Sequence, residues 1–258
     1  MNRINQLFSK KPDGILSVYF CAGHPTLDGT HDTLSALQEG GVDMAEIGIP
    51  FSDPLADGPV IQDAATKALR NGMSVRLLFE QLHDVRKDIH IPLILMGYLN
   101  PILHFGFERF CKECADCGID GLIIPDLPFE VYEKEFRDAA VHHGLEFVFL
   151  VTPETPERRI RQIDTATDGF IYAVSSAAVT GAQHSFDASR EAYFRRLKSM
   201  ELHHPFLVGF GVSNLPTRRA ADTYSAGVIV GSKFVSLLGQ CGTPAVAVKA
   251  LQAALASE

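Results

Sequence analysis

The sequence predicts a closed α/β barrel, a (β/α)8 TIM barrel running over residues 1–258 as a single domain. Three observations lead there. Eight short runs rich in Ile, Val, Leu and Phe recur along 258 residues. Amphipathic segments with helical spacing separate them. No break in composition divides the chain, and about 250 residues is a common size for one such barrel.

The runs are Leu16–Cys21, Met44–Ile49, Pro92–Met96, Gly121–Pro125, Glu146–Val151, Gly169–Ala173, Pro205–Gly209 and Gly227–Gly231. They are continuously apolar, as in parallel strands covered on both faces. Leu77, Leu78, Leu82 and Val85 predict a helix before the third run, and Phe136, Ala139 and Ala140 one before the fifth. Ile160 and Ile163 predict one before the sixth, and Ala245–Ala256 a last one. Strand then helix, eight times over, suits a closed barrel; a doubly wound open sheet is the alternative, because periodicity does not show closure. Two connections are long, Pro50–Pro59 and Ser175–Ser189, and both follow the C-terminal end of a strand, the face that carries chemistry in barrels.

Composition excludes several classes. Hydrophobic residues make up 46% and charged ones 21%, with mean hydropathy +0.08, which is too apolar for a disordered chain. Net charge is −8 and no basic stripe is interleaved with aromatics, so nucleic-acid binding is not expected. Residues Met1–Phe8 lack the apolar core of a signal peptide, and no run approaches the length of a membrane span. A soluble, cytoplasmic enzyme is the expectation. Of five cysteines, Cys111, Cys114 and Cys117 form a C-x2-C-x2-C run. They sit inside a helical pattern with Phe107 and Phe110, so the run reads as a packing stripe rather than a cluster site. The ten histidines include the pairs His142-His143 and His203-His204, without the spacing of a helical zinc site, and no metal is expected.

Alternation along Met44–Ile49 sends Ala45, Ile47 and Ile49 to one face and Met44, Glu46 and Gly48 to the other. With helices on the Ala/Ile side, Glu46 points into the barrel. Lost hydration there raises its pKa and suits it to proton transfer near neutral pH. No Lys or Arg stands at the end of a neighbouring strand to pair with it. The loop Pro50–Pro59 then carries Asp53 and Asp57 over the same rim. Either aspartate could instead cap the helix starting near Pro59.

Small residues cluster after the late strands: Thr180-Gly181, Gly209-Phe210-Gly211 and Gly231-Ser232. Glycines let backbone N–H groups approach phosphate oxygens, and barrels often hold phosphate at the seventh and eighth loops. Tyr19, Met96, Tyr98, Ile123, Tyr172 and Phe210 stand where they could line a pocket for a flat substrate. P-loop, G-x-S-x-G and strand-to-helix G-x-G-x-x-G motifs are absent from the sequence.

The run Glu46-Ile47-Gly48-Ile49-Pro50-Phe51-Ser52-Asp53-Pro54-Leu55-Ala56-Asp57-Gly58-Pro59 closely resembles the signature of the tryptophan synthase alpha chain family. The likeness continues in order through Ala22–Pro25, Tyr98–Pro101, Gly121–Pro128, Val179–Gly181, Gly209–Ser213 and Gly231-Ser232. It implies retro-aldol cleavage of indole-3-glycerol phosphate to indole and glyceraldehyde 3-phosphate. It further implies that Glu46 shuttles protons and Asp57 stabilises the indole N–H as it becomes positive. Tyr19, Met96, Tyr98, Ile123, Pro125, Tyr172, Thr180 and Phe210 would frame the substrate, with Gly181, Gly211, Gly231 and Ser232 on its phosphate. The resemblance implies no cofactor in this chain. Pyridoxal phosphate is expected only in a partner beta subunit, joined in an alpha2-beta2 heterotetramer through Asp53, its loop neighbours and the Asn100-Pro101 region.

The sequence departs from the family's commonest pattern at His24, Ala178 and Lys233-Phe234. Ala178 restricts the backbone of the Ser175–Ser189 loop. The competing readings are another phosphate-binding barrel, such as an indole-glycerol-phosphate synthase, a non-catalytic activating subunit, and a lyase that works without a beta partner. The synthase would need a lysine at a strand end, and the retained carboxylates count against a scaffold.

Overall fold

The computed structural model describes residues 2–175 and 186–256. Its strands are β1 Ile15–Cys21, β2 Met44–Gly48, β3 Leu93–Met96, β4 Gly121–Ile123, β5 Glu146–Phe147, β6 Leu150–Val151, β7 Ile171–Val174, β8 Phe206–Gly209 and β9 Gly227–Val230. All pair in parallel, in the order β5-β4-β3-β2-β1-β9-β8-β7-β6. The two ends of that order belong to one stretch of chain. Glu146 and Phe147 pair with β4, while Leu150 and Val151 pair with β7. Between them Val148 N–H donates to Leu122 O at 2.9 Å, and Phe149 O accepts from Tyr172 N–H at 2.9 Å. The ring is therefore closed, and the barrel expected from the sequence is the fold. The fifth run is the one that differs, because its two halves serve different neighbours.

Period-two alternation builds two apolar layers. Ile15, Met44, Ile94, Ile123, Val148, Tyr172, Leu207 and Ile229 fill the inside of the ring. Val18, Ala45, Ile47, Leu95, Leu122, Ala173, Val208 and Val230 face the surrounding helices. The cysteine stripe belongs to that outer layer: Cys111 and Cys114 lie on helix Phe107–Asp116, Cys117 caps it, and all three are buried. Burial pushes the Cys111 thiol up to about 12. Among the described residues no cluster of His, Cys, Asp and Glu could hold a metal, and no helix is long and apolar enough to cross a membrane.

One element was not anticipated. Helix Arg3–Lys10 is capped by the Asn2 side chain, which accepts from Ile4 N–H. Its Ile4, Leu7 and Phe8 join the inner layer, and the Phe8 ring lies 5.9 Å from that of Phe170. Ile4 packs beside Gly121 and Gly169, so the helix plugs the end of the barrel where the strands begin. The i, i+3, i+4 spacing of these three residues was its signal in the sequence.

Candidate active site

The opposite end is open. A pocket is lined there by Tyr19, Glu46, Asp57, Ile61, Met96, Tyr172, Phe210, Gly211, Val212, Ser213, Ile229, Gly231, Ser232 and Lys233. Glu46 occupies the middle of β2, beside Tyr19 of β1 and Ile94 of β3 in register. Its side chain is wholly buried. Ser17 Oγ donates to Oε1 at 2.8 Å. Among the described residues Oε2 has no hydrogen-bond partner. Burial pushes the carboxyl up from 4.5 to about 7, with the Ser17 hydrogen bond pulling the other way.

Asp57 reaches the same pocket from the loop after β2. Tyr98 Oη donates to its Oδ2 at 2.9 Å and accepts from Ala56 N–H at 3.0 Å. Burial raises this carboxyl to about 6, against the Tyr98 hydrogen bond. The capping question is also answered. Helix Pro59–Arg70 begins after Gly58 with no side-chain cap, so neither Asp53 nor Asp57 serves as one. Asp53 is exposed and lies outside the pocket.

Two glycines make room for the aromatic walls. A Cβ on Gly48 would stand 2.1 Å from the Tyr19 hydroxyl, and one on Gly209 would stand 2.3 Å from the Tyr172 ring. Phe210 takes φ 65°, a left-handed conformation that L side chains rarely adopt, next to Gly211 at φ 79°. Ser175 holds this turn, with Oγ donating to Phe210 O at 2.6 Å and N–H to Gly209 O at 3.1 Å. Such strain is kept where surrounding structure over-determines it, typically beside a ligand site.

Of the residues singled out from sequence, the pocket gathers Tyr19, Glu46, Met96, Asp57, Tyr172, Phe210, Gly211, Gly231 and Ser232. Tyr98 sits one layer back, on Asp57. Ile123 is fully buried in the inner layer. Pro125 is placed elsewhere, in a groove with Ile124, Leu127, Phe129 and Arg159. Thr180 and Gly181, like Ala178, lie outside the described residues. The sequence reading missed Ser17, Ile61, Val212, Ser213, Ile229 and Lys233. Lys233 also corrects the expectation that strand ends offer no cation: it stands three positions beyond Val230, in the first turn of helix Ser232–Gln240, and lines the pocket. It makes no ion pair with Glu46; Ser17 is the hydrogen-bond partner described for that carboxylate.

Fold and pocket together define a parallel α/β barrel with an acidic pocket at the C-terminal mouth, the arrangement of barrel enzymes. The particular family follows from comparison with known proteins. A family model for the tryptophan synthase alpha chain matches residues 6–257. The tryptophan synthase alpha chain of Bacteroides fragilis is 60% identical over 255 residues, covering 99% of this chain and 97% of that protein. That of Flavobacterium psychrophilum is 51% identical over 246 residues, covering 95% and 97%. A crystal structure of the alpha chain from Legionella pneumophila superposes with TM-score 0.87 at 31% identity, covering 99% and 96%. A chain of a tryptophan synthase complex from Pyrococcus furiosus gives 0.82 at 35% identity, covering 94% and 98%. The chain belongs to the tryptophan synthase alpha chain family.

Proposed function

We propose that the chain cleaves indole-3-glycerol phosphate to indole and glyceraldehyde 3-phosphate, the alpha reaction of tryptophan biosynthesis, with Glu46 as proton carrier and Asp57 as its anionic partner. The observation that carries this reading is the state of Glu46: buried, lining the pocket, tied through Oε1 to Ser17, with Oε2 free of a hydrogen-bond partner among the described residues. Protonated Glu46 delivers its proton to the ring carbon that bears the side chain. The ring nitrogen becomes cationic and the Asp57 carboxylate stabilises it. Glu46, now a carboxylate, takes the proton of the side-chain hydroxyl as the carbon–carbon bond breaks. The bonding pair returns to the ring, the hydroxyl carbon becomes the aldehyde, and Glu46 ends protonated as it began. General acid–base help of this kind contributes about 10²–10⁴-fold.

Tyr19, Met96, Tyr172 and Phe210 would hold the indole, with Tyr98 acting through Asp57. Thr180, Ile123 and Pro125 are carried as substrate neighbours by the family resemblance. Backbone at Gly181, Gly211, Gly231 and Ser232 would take the phosphate, aided by the N-terminus of helix Ser232–Gln240 and the Lys233 ammonium.

A beta subunit carrying the pyridoxal phosphate is the proposed consumer of the indole, in an alpha2-beta2 assembly; this chain would carry no cofactor of its own. The face around Asp53 and Asn100-Pro101 supports that partnership, since Leu55 is 89% and Leu103 46% exposed beside them. We place the reaction in the cytoplasm, consistent with five free cysteines.

The test is indole release from indole-3-glycerol phosphate, with and without a beta subunit. Glu46→Gln should fold normally and lose turnover by at least about 10²-fold. Turnover within a few-fold of wild type would retire the mechanism. Asp57→Asn should lower kcat with little change in substrate affinity. Weakened affinity at an unchanged maximal rate would instead make Asp57 a binding residue.

A further inference from the structure

Buried strand positions in this barrel are apolar with few exceptions. Tyrosines apart, the buried polar or charged strand residues among those described are Ser17, Glu46 and Glu146. Ser17 is an inward position of β1, between Ile15 and Tyr19 on the same face, and is wholly buried. A hydroxyl there loses its water and must find a partner. The partner described for it is Glu46, whose Oε1 accepts from Oγ at 2.8 Å. Register explains the fit. β1 and β2 pair with Tyr19 opposite Glu46 and Ser17 opposite Met44, so Ser17 lies one inward step below the carboxylate.

The contact is asymmetric, and the asymmetry carries chemistry. An ionised carboxylate offers two equivalent oxygens, but here one is engaged by a neutral donor from inside the barrel. The other has no partner among the described residues and belongs to a group lining the pocket. We infer that Ser17 is a positioning residue, its hydroxyl fixing one oxygen of Glu46 so that the other is the single atom exchanging protons with substrate. The inference rests on Glu46 being the proton carrier proposed above, and it adds a residue that never touches substrate.

A donor aimed at the ionised form also favours that form. It opposes the burial that pushes Glu46 up to about 7. The titratable groups around the pocket leave this role to Ser17. Tyr19 on β1 and Tyr172 on β7 are held far above neutral pH by burial, and neither donates a hydrogen bond to Glu46. Asp57 faces the pocket from its loop with Tyr98 as its own donor, and Lys233 lines the pocket from helix Ser232–Gln240. Among the described residues Ser17 supplies the hydrogen bond that pulls Glu46 down.

The experiment uses the full chain and the Ser17→Ala variant. The carboxyl of Glu46 is titrated by infrared difference spectroscopy, with Glu46→Gln identifying its band, and kcat and KM for indole release are followed against pH. Loss of the donor should move the Glu46 midpoint, and the alkaline limb of kcat/KM with it, up by about one pH unit. kcat should fall about tenfold or more, as for a slightly misplaced catalytic group, while KM stays within about twofold. An unmoved midpoint overturns the inference, as does a lower rate with an unmoved limb, which would mark Ser17 as packing alone. Should Ser17→Ala not fold, Ser17→Cys, a much weaker donor of similar shape, is read the same way. The two proposals fail separately. Full turnover in Glu46→Gln sinks the proton-carrier reading, while the infrared midpoint still decides what Ser17 does.

Discussion

Glu46 and Asp57 line one pocket, yet each keeps a different donor and a different share of water. Glu46, wholly buried on Ser17, is pushed up to about 7; Asp57, at the rim on Tyr98, is pushed up to about 6. The mechanism needs Glu46 protonated and Asp57 ionised. Activity should therefore rise as pH climbs through about 6 and fall as it passes about 7, giving a narrow bell in kcat/KM for indole release. Because the Tyr98 hydrogen bond lowers the Asp57 value, Tyr98→Phe should shift the acid limb to higher pH and leave the alkaline limb in place. A variant that lost rate without moving that limb would assign Tyr98 to packing. The two carboxylates were legible because a glutamate on the inward face of an apolar strand has few innocent explanations. Ser17 was not, since a lone serine in an apolar run looks like tolerated polarity until its neighbour across β2 is known. Lys233 was hidden by its place inside a helix, where a lysine ordinarily reads as solvated surface.

At the scale of elements, the pocket depends on chain that never contacts a ligand through a side chain. Gly48 and Gly209 yield their side-chain volume to the rings of Tyr19 and Tyr172. In Gly48→Ala the new methyl must displace the Tyr19 ring, and overpacking of this kind costs about 1–3 kcal/mol. The expected result is a lower melting temperature and a rise in KM as the wall shifts; wild-type values of both would show that the ring moves freely. Helix Ser232–Gln240 brings Lys233 to the pocket from its first turn. Lys233→Met should raise KM for the phosphorylated substrate several-fold at low salt with kcat kept, and steady-state kinetics at two ionic strengths would check it. Most elements were readable beforehand, because strands buried on both faces leave unbroken apolar runs. The division of Glu146–Val151 into β5 and β6 was not, since it is set by which neighbours those residues meet around the ring. Helix Arg3–Lys10 was readable in its Ile4, Leu7 and Phe8 spacing, but eight residues give a weak periodic signal without the barrel end that receives them.

The two ends of the barrel divide the work of the molecule, and both contain buried charge. At the plugged end Asp120 accepts from Arg3 at 3.0 Å and from Arg86 at 2.5 Å, a carboxylate well provided with cations. Glu146 beside it is less well served. Asn5 Nδ2 donates to Oε1 at 2.6 Å, while Oε2 has no partner among the described residues. Burial, then the charges of Asp168 and Asp120, push this carboxyl from 4.5 up to about 8. A folded-state value above the unfolded one means the native protein binds the extra proton. Stability linked to Glu146 is then intact below about pH 4.5 and lost progressively as pH rises toward about 8. Glu46 and Asp57 slope the same way up to about 7 and about 6, while His24, pushed below 6.5 by burial, slopes oppositely. Asp63 and Asp84, lowered by their lysine partners, act below their ordinary value of 3.8 and so outside this window. Glu146→Gln leaves every other group in place and isolates one contribution. Its melting temperature should match wild type within a degree or so near pH 4.5. Near pH 8.5 it should exceed wild type by a few degrees, because an uncharged amide replaces a carboxylate forced to ionise among acids. Parallel melting curves across that range would mean that water or a shift of helix Arg3–Lys10 already relieves Glu146, and that the plugged end carries no such load.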